Sequence, residues 1–153
     1  MMKKLVLPLV VASALSACGV IPTLPEPSVP QPHRRPPPVV APSKVDLLLK
    51  EANRLAGEVK AGRLSRTAAA DQLNSYRLRV AGPNLVDDNT FATYRYIAVE
   101  RDAGRMSPTE AQDKMEVKLR EWLRTWPKLR QKPADPAFTN FLLKVYRLPP
   151  LGY

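Results

Sequence analysis

Residues 61–73 read AGRLSRTAAADQL, and residues 103–115 read AGRMSPTEAQDKM. Seven of the 13 positions are identical at a constant offset of 42, and Leu and Met exchange at two more. A period of this size marks a supersecondary unit used twice. The shared residues say which unit. Gly62 and Gly104 can take the left-handed conformation that closes a preceding helix. Three residues on, Ser65 and Ser107 are suited to accept bonds from the free N–H groups that open the next helix. In the second copy Pro108 fits the first helical position and Glu110 completes a Ser-x-x-Glu capping box. Leu64 and Met106 precede the caps, where an apolar side chain can staple the first turn. Each copy therefore reads as helix, tight turn, helix.

The flanking periodicity agrees. Leu48, Leu49, Ala52, Leu55, Ala56 and Val59 form one stripe before the first turn, and Ala69, Leu73, Tyr76 and Val80 follow it. The second copy offers Phe91, Tyr94, Ile97 and Ala98, then Ala111, Met115, Leu119, Trp122 and Trp126. Spacings of three and four place each set on one helical face. Gly82-Pro83-Asn84 breaks the chain between copies, and Asp87, Asp88 or Asn89 can cap the helix that follows. Pro127 should stop the fourth helix. A fifth should start near Pro136, bury Phe138, Phe141, Leu142, Val145 and Tyr146, and end at Pro149-Pro150. The apolar tail from Leu148 to Tyr153 either folds back over the core, the expected use, or presents a short proline-rich ligand. No segment alternates as a strand does. The expectation is an all-α domain over 44–153 of about five helices: two helical hairpins repeated at the offset of 42, completed by a C-terminal helix.

The N-terminal residues point to an address. Lys3 and Lys4 precede an apolar run from Leu5 to Ala17, the layout of a secretory signal peptide. That run is shorter than the roughly 20 residues a membrane-spanning helix needs. Leu15, Ser16, Ala17 and Cys18 close it, and small residues before a cysteine resemble the bacterial lipoprotein cleavage box. The resemblance implies removal of 1–17, a diacylglycerol on the Cys18 thiol and an acyl chain on the new amino group. Acyl chains contribute about 0.8 kcal/mol per buried methylene, and stable anchoring takes more than one. Gly19 stands where Asp commonly retains such proteins at the inner membrane of enteric bacteria. By that analogy the outer membrane is the expected home. Cys18 is the only cysteine, so no disulfide supports the fold.

Nine of the 17 prolines fall between Pro22 and Pro42. Proline fixes φ and removes backbone donors, so residues 18–43 read as a disordered, polyproline-II-biased spacer. At about 3.1 Å per residue, the proline-rich stretch reaches roughly 65 Å when extended. It serves as a stalk or as a passive tether. The formal charge is +10, and the domain alone holds 20 basic and 13 acidic side chains, hence +7. Outside the cytoplasm such a balance suits headgroups, lipopolysaccharide phosphates, cell-wall carboxylates or an acidic protein surface, and it also confers plain solubility.

Residues 44–153 contain no histidine and no cysteine, which removes Ser-His-Asp and Cys-His catalysis and the common zinc sites from that segment. Asp87-Asp88 is its adjacent acidic pair, and Asp113 and Glu116 would share a helical face. Caps and solvated surface account for them better than acid–base chemistry does. No cofactor is expected, and no metal. The candidate anion-binding surface is Lys118, Arg120, Arg124, Lys128 and Arg130, beside Trp122 and Trp126. The Trp pair continues the apolar stripe of its helix, so the core is its expected place.

The LSAC box, Ile21-Pro-Thr-Leu, Asn84-Leu-Val-Asp-Asp and Pro136-Ala-Phe-Thr-Asn-Phe-Leu together resemble small outer-membrane lipoproteins of Neisseria and relatives. That resemblance implies location and carries no activity. A small lipid-tethered helical domain is also similar to pilotin lipoproteins, from which this chain departs by lacking a disulfide. The expected function is a non-enzymatic accessory or scaffold lipoprotein, tied to the membrane by acyl chains and working through an envelope protein partner. The alternative is direct binding of an envelope polyanion through the basic helix. Nucleic acid is not an expected partner.

Overall fold

Ser43 opens the first helix: its hydroxyl accepts the Asp46 N–H at 3.1 Å and donates to the Asp46 carboxylate at 2.7 Å. The computed structural model describes residues 40–152. Helix α1 runs Lys44–Lys60, α2 Arg66–Val80, α3 Leu85–Asp102, α4 Pro108–Thr125 and α5 Ala137–Val145, with a 3₁₀ turn at Trp126–Lys128. The described residues are thus all-α, with five helices and no strand. The predicted signal peptide at 1–17, Cys18 and most of the 18–43 spacer lie outside them.

Both Gly-φ-Ser turns form as the residues dictate. After α1, Gly62 has φ 72°, with the Gly62 N–H donating to the Val59 carbonyl and the Arg63 N–H to the Glu58 carbonyl. After α3, Gly104 has φ 69°, with matching bonds from Gly104 to Arg101 and from Arg105 to Glu100. These are Schellman closures, which satisfy carbonyls that a helix end leaves open. Ser65 caps α2 through Ala68, and Ser107 caps α4 in a complete capping box with Glu110. A feature the sequence reading overlooked reinforces each turn. Arg63 clasps Glu58 at 2.6 and 3.0 Å, and Arg105 clasps Glu100 at 2.9 and 2.7 Å, both with two parallel bonds.

Each of α1 to α4 packs against its chain neighbour, and α5 packs on α1, α3 and α4. The core joins Leu48 and Leu55 of α1, Ala70 and Leu73 of α2, Phe91 and Ile97 of α3, and Met115 and Leu119 of α4 around α5. Phe138 is fully buried at its centre, with Phe91, Tyr94 and Phe141 rings 5.7–5.8 Å away. Trp126 is buried and its indole N–H donates to the Gly152 carbonyl, while Trp122 is half-buried. The segment after α5 folds back as expected: Leu151 is 2% exposed and its N–H donates to the Asn140 side chain at 2.8 Å.

The fifth helix differs from its predicted outline. It buries Ala137, Thr139 and Leu143 as well as Phe138, Phe141 and Leu142, while Val145 is 49% exposed. A helix covered from several sides has no single buried stripe, so a one-face reading underestimates what it hides. It also stops at Val145, ahead of Pro149. Arg147 takes φ 56°, and the Leu148 N–H bonds the Leu143 carbonyl in a third Schellman closure.

Asn84, not Asp87, Asp88 or Asn89, caps α3. Asp87 is instead fully buried and caps α5, whose own Pro136 offers no capping side chain. Its carboxylate accepts the Phe138 N–H at 3.1 Å, the Thr139 N–H at 2.8 Å and the Thr139 hydroxyl at 2.9 Å. Asn84 Nδ2 donates to it at 2.9 Å. Asp88 pairs at 2.7 Å with Arg77, which is only 2% exposed. The Arg77 guanidinium also donates to Asn74 and lies 5.7 and 5.9 Å from the Phe91 and Phe138 ring centres.

Asp87→Ala would leave two α5 N–H groups buried without acceptors, so it should cost about 3 kcal/mol of stability. Asp87→Asn should recover part of that loss, and urea unfolding midpoints measure both. At the helix ends, Gly62→Ala should cost about 1 kcal/mol through its left-handed backbone alone, since no atom lies within 4 Å of an added Cβ. Arg147→Gly should stabilise by up to about 1 kcal/mol for the reverse reason, read as a rise in Tm.

Candidate functional site

Leu15, Ser16, Ala17 and Cys18, the cleavage-box residues, lie outside the described residues. The five residues of the basic surface do not gather on one face. Lys118 is bonded to Glu121 at 3.1 Å and sits over the Trp122 ring, while Arg120 is bonded to Glu116 at 2.7 Å. Two residues along a helix turn it by about 200°, so Lys118 points well away from Arg120 and Arg124. Arg124, Lys128 and Arg130 are exposed, and none makes a salt bridge among the described residues. The fringe is thus split between locally neutralised charges on α4 and exposed charges at and beyond its C-terminal end.

The acidic candidates are structural in their geometry. Asp87 is saturated by the donors that open α5, and Asp88 holds Arg77. No group of three or more His, Cys, Asp or Glu side chains could hold a metal ion among the described residues. No helix among them is long and apolar enough to cross a membrane.

The concave feature is an apolar groove that the sequence reading did not single out. One part, about 620 Å³, lies between α1, α2 and α3, with Ala52, Ala56 and Val59 on its α1 side and Ala69 and Leu73 from α2. The adjoining part, about 650 Å³, reaches α4 and the end of α5, where Val145 and Tyr146 line it. Tyr94, Ile97, Arg101 and Ala111 line both, so the two are continuous. The groove is open to solvent along its length. Its depth comes from alanines at stripe positions, which hold the helical face apolar without filling the space in front of it. Five alanines line the α1 to α3 part: Ala52, Ala56, Ala69, Ala98 and Ala111. A run of alanines where Leu or Ile would close a core is the sequence signal that could have located it.

Cations border this groove. Lys60, Arg66 and Arg101 line the first part, and Arg101 and Arg147 the second, against the single carboxylate of Glu116, which Arg120 already engages. Arg101 donates to the Met106 carbonyl at 2.8 Å and so has a fixed direction without being neutralised. Lys60 and Arg147 make no salt bridge among the described residues. Burial raises the pKa of Tyr94 at the centre of the groove and of Tyr146 at its end, keeping both phenols neutral.

Asp102 closes the end of α3 beside Arg66 and acts as a second cap for α2. It accepts the Arg66 N–H at 3.0 Å, and the Thr67 N–H and hydroxyl at 2.8 Å each. Partial burial pushes its carboxyl up, but the bonds from Thr67 and Arg66 outweigh this and hold the pKa at about 2. Because the folded value lies below the ordinary 3.8, the carboxylate's contribution is complete above that value and is lost as pH falls toward about 2. Asp102→Asn should lower stability at neutral pH and flatten its decline between about pH 4 and pH 2, as measured by thermal unfolding across that range.

No protein-family model, curated protein or solved structure matches this chain. The functional reading rests on its own residues and geometry.

Proposed function

We propose that this protein is a lipoprotein of the cell envelope, held at the outer membrane by acyl chains on Cys18, and that its helical domain serves as a non-enzymatic accessory or scaffold through contacts with another envelope protein. The observation that carries the anchoring is the run of Leu15, Ser16, Ala17 and Cys18 at the end of a cationic-then-apolar leader. The accessory role is supported by the open apolar groove and by the structural use of Asp87 and Asp88. In this reading residues 18–43 are the lipidated cysteine and a proline-rich linker, and α1–α2 and α3–α4 are two copies of one hairpin, related by the offset of 42. The identity between the copies, with glycine closures and serine caps at matching positions, supports that duplication. The placement fits small neisserial-type outer-membrane lipoproteins, the group that the sequence resembles.

A second reading, direct binding of lipopolysaccharide, cell wall or anionic lipid, draws on exposed Arg124, Lys128 and Arg130. It is the weaker one, because Lys118 and Arg120 are already engaged by Glu121 and Glu116.

Metabolic labelling with palmitate should mark the wild-type chain and leave Cys18→Ser unmarked, with the variant moving from the membrane to the soluble fraction. An unlabelled, soluble wild-type chain would overturn the anchoring. Binding to purified lipopolysaccharide or cell-wall polymer that vanishes in Arg120→Glu with Arg124→Glu would replace the scaffold reading with the second one.

A further inference from the structure

We infer that the groove that runs from between α1, α2 and α3 to α4 is a docking site for an amphipathic helical segment of a partner protein, apolar on the face it buries and acidic on the flanks. The inference rests on the protein-contact role proposed above and names the chemistry of the contact.

The groove's shape argues for such a segment. Its surface is apolar and built largely from alanine, so a helix carrying Leu- or Phe-sized side chains can approach closely and fill the space. Ala56 on one side and Val145 on the other are exposed, although both occupy positions that the helical pattern marks as apolar. An enclosed ligand such as a lipid chain is normally buried over most of its surface. This groove leaves one side in water, which suits a ligand with a polar outer face.

The charges say which polar face. Lys60, Arg101 and Arg147 border the groove with no carboxylate within salt-bridge distance among the described residues. Elsewhere among the described residues most arginines have acidic partners, as at Arg54, Arg63, Arg95 and Arg105, and at the groove itself Arg66 is paired with Asp102. Unmatched cations beside an apolar groove favour a partner that brings carboxylates and disfavour a basic one.

A photo-crosslinking residue placed in cells at Ala56 or Ala111 tests this, with exposed Val117 outside the groove as the control. The expected adduct joins both groove positions to one segment of another protein, identified by mass spectrometry, with apolar residues at helical spacing and Asp or Glu on the remaining face. Its yield should fall about tenfold in Lys60→Glu with Arg147→Glu, two solvent-facing changes whose fold is checked by circular dichroism. Adducts to lipid, to a second copy of this chain or to a segment without acidic residues would overturn the inference. So would a yield no higher than at Val117. Palmitate labelling of the same cells separates the two failures: a labelled chain without the adduct sinks the docking site alone, while an unlabelled chain sinks the anchoring.

Discussion

The buried carboxylate of Asp87 joins the beginnings of two helices. It belongs to the first turn of α3, where Asn84 bonds it, and it accepts the N–H groups of Phe138 and Thr139 that open α5. A helix start carries partial positive charge, and here two such starts share one anion. The helix so held is the one around which the core is arranged: Phe138, Leu143 and Thr139 are all fully buried. The Thr139 hydroxyl gives its one proton to Asp87, and Thr90, whose oxygen lies 2.9 Å from it, donates to the Val86 carbonyl at 2.8 Å. A buried polar network is tolerable only when its members are satisfied, and this one is satisfied.

From that junction the remaining features follow. With α5 held against α1, α3 and α4, Arg77 of α2 is buried beside the Phe91 and Phe138 rings. Asp88, the neighbour of Asp87 in sequence, then supplies its counter-charge at 2.7 Å. The same placement fixes the groove, because the exposed end of α5 brings Val145 and Tyr146 up to the α4 side. Lys144 ties the far side of α5 to Asp46 of α1 at 2.8 Å, an exposed pair of modest worth.

Much of the scaffold was legible in residue order. Ser65 and Ser107 announced helix starts, and Gly62 and Gly104 announced helix ends, because caps and left-handed turns are local and need only a few neighbouring residues. The Arg63–Glu58 and Arg105–Glu100 clasps are also local, yet their spacing of five is outside the usual pair rules for a continuous helix. The role of Asp87 was not legible. Its donors lie 51 and 52 residues away, and by local rules a carboxylate at that position reads as a cap for its own helix.

The sequence by itself determined where most of the helices begin and stop, which positions are apolar, and the small-residue box before Cys18, since each depends on chemistry within a turn or so of the chain. Only the tertiary structure decided which apolar faces are covered and which form the groove. Leu48 is fully buried under its neighbours whereas Ala56 stays open to water, although the helical pattern sets both on one stripe of α1. Burial depends on what packs opposite a residue, and at the centre of this core that is the fifth helix, whose first turn the distant Asp87 carboxylate caps.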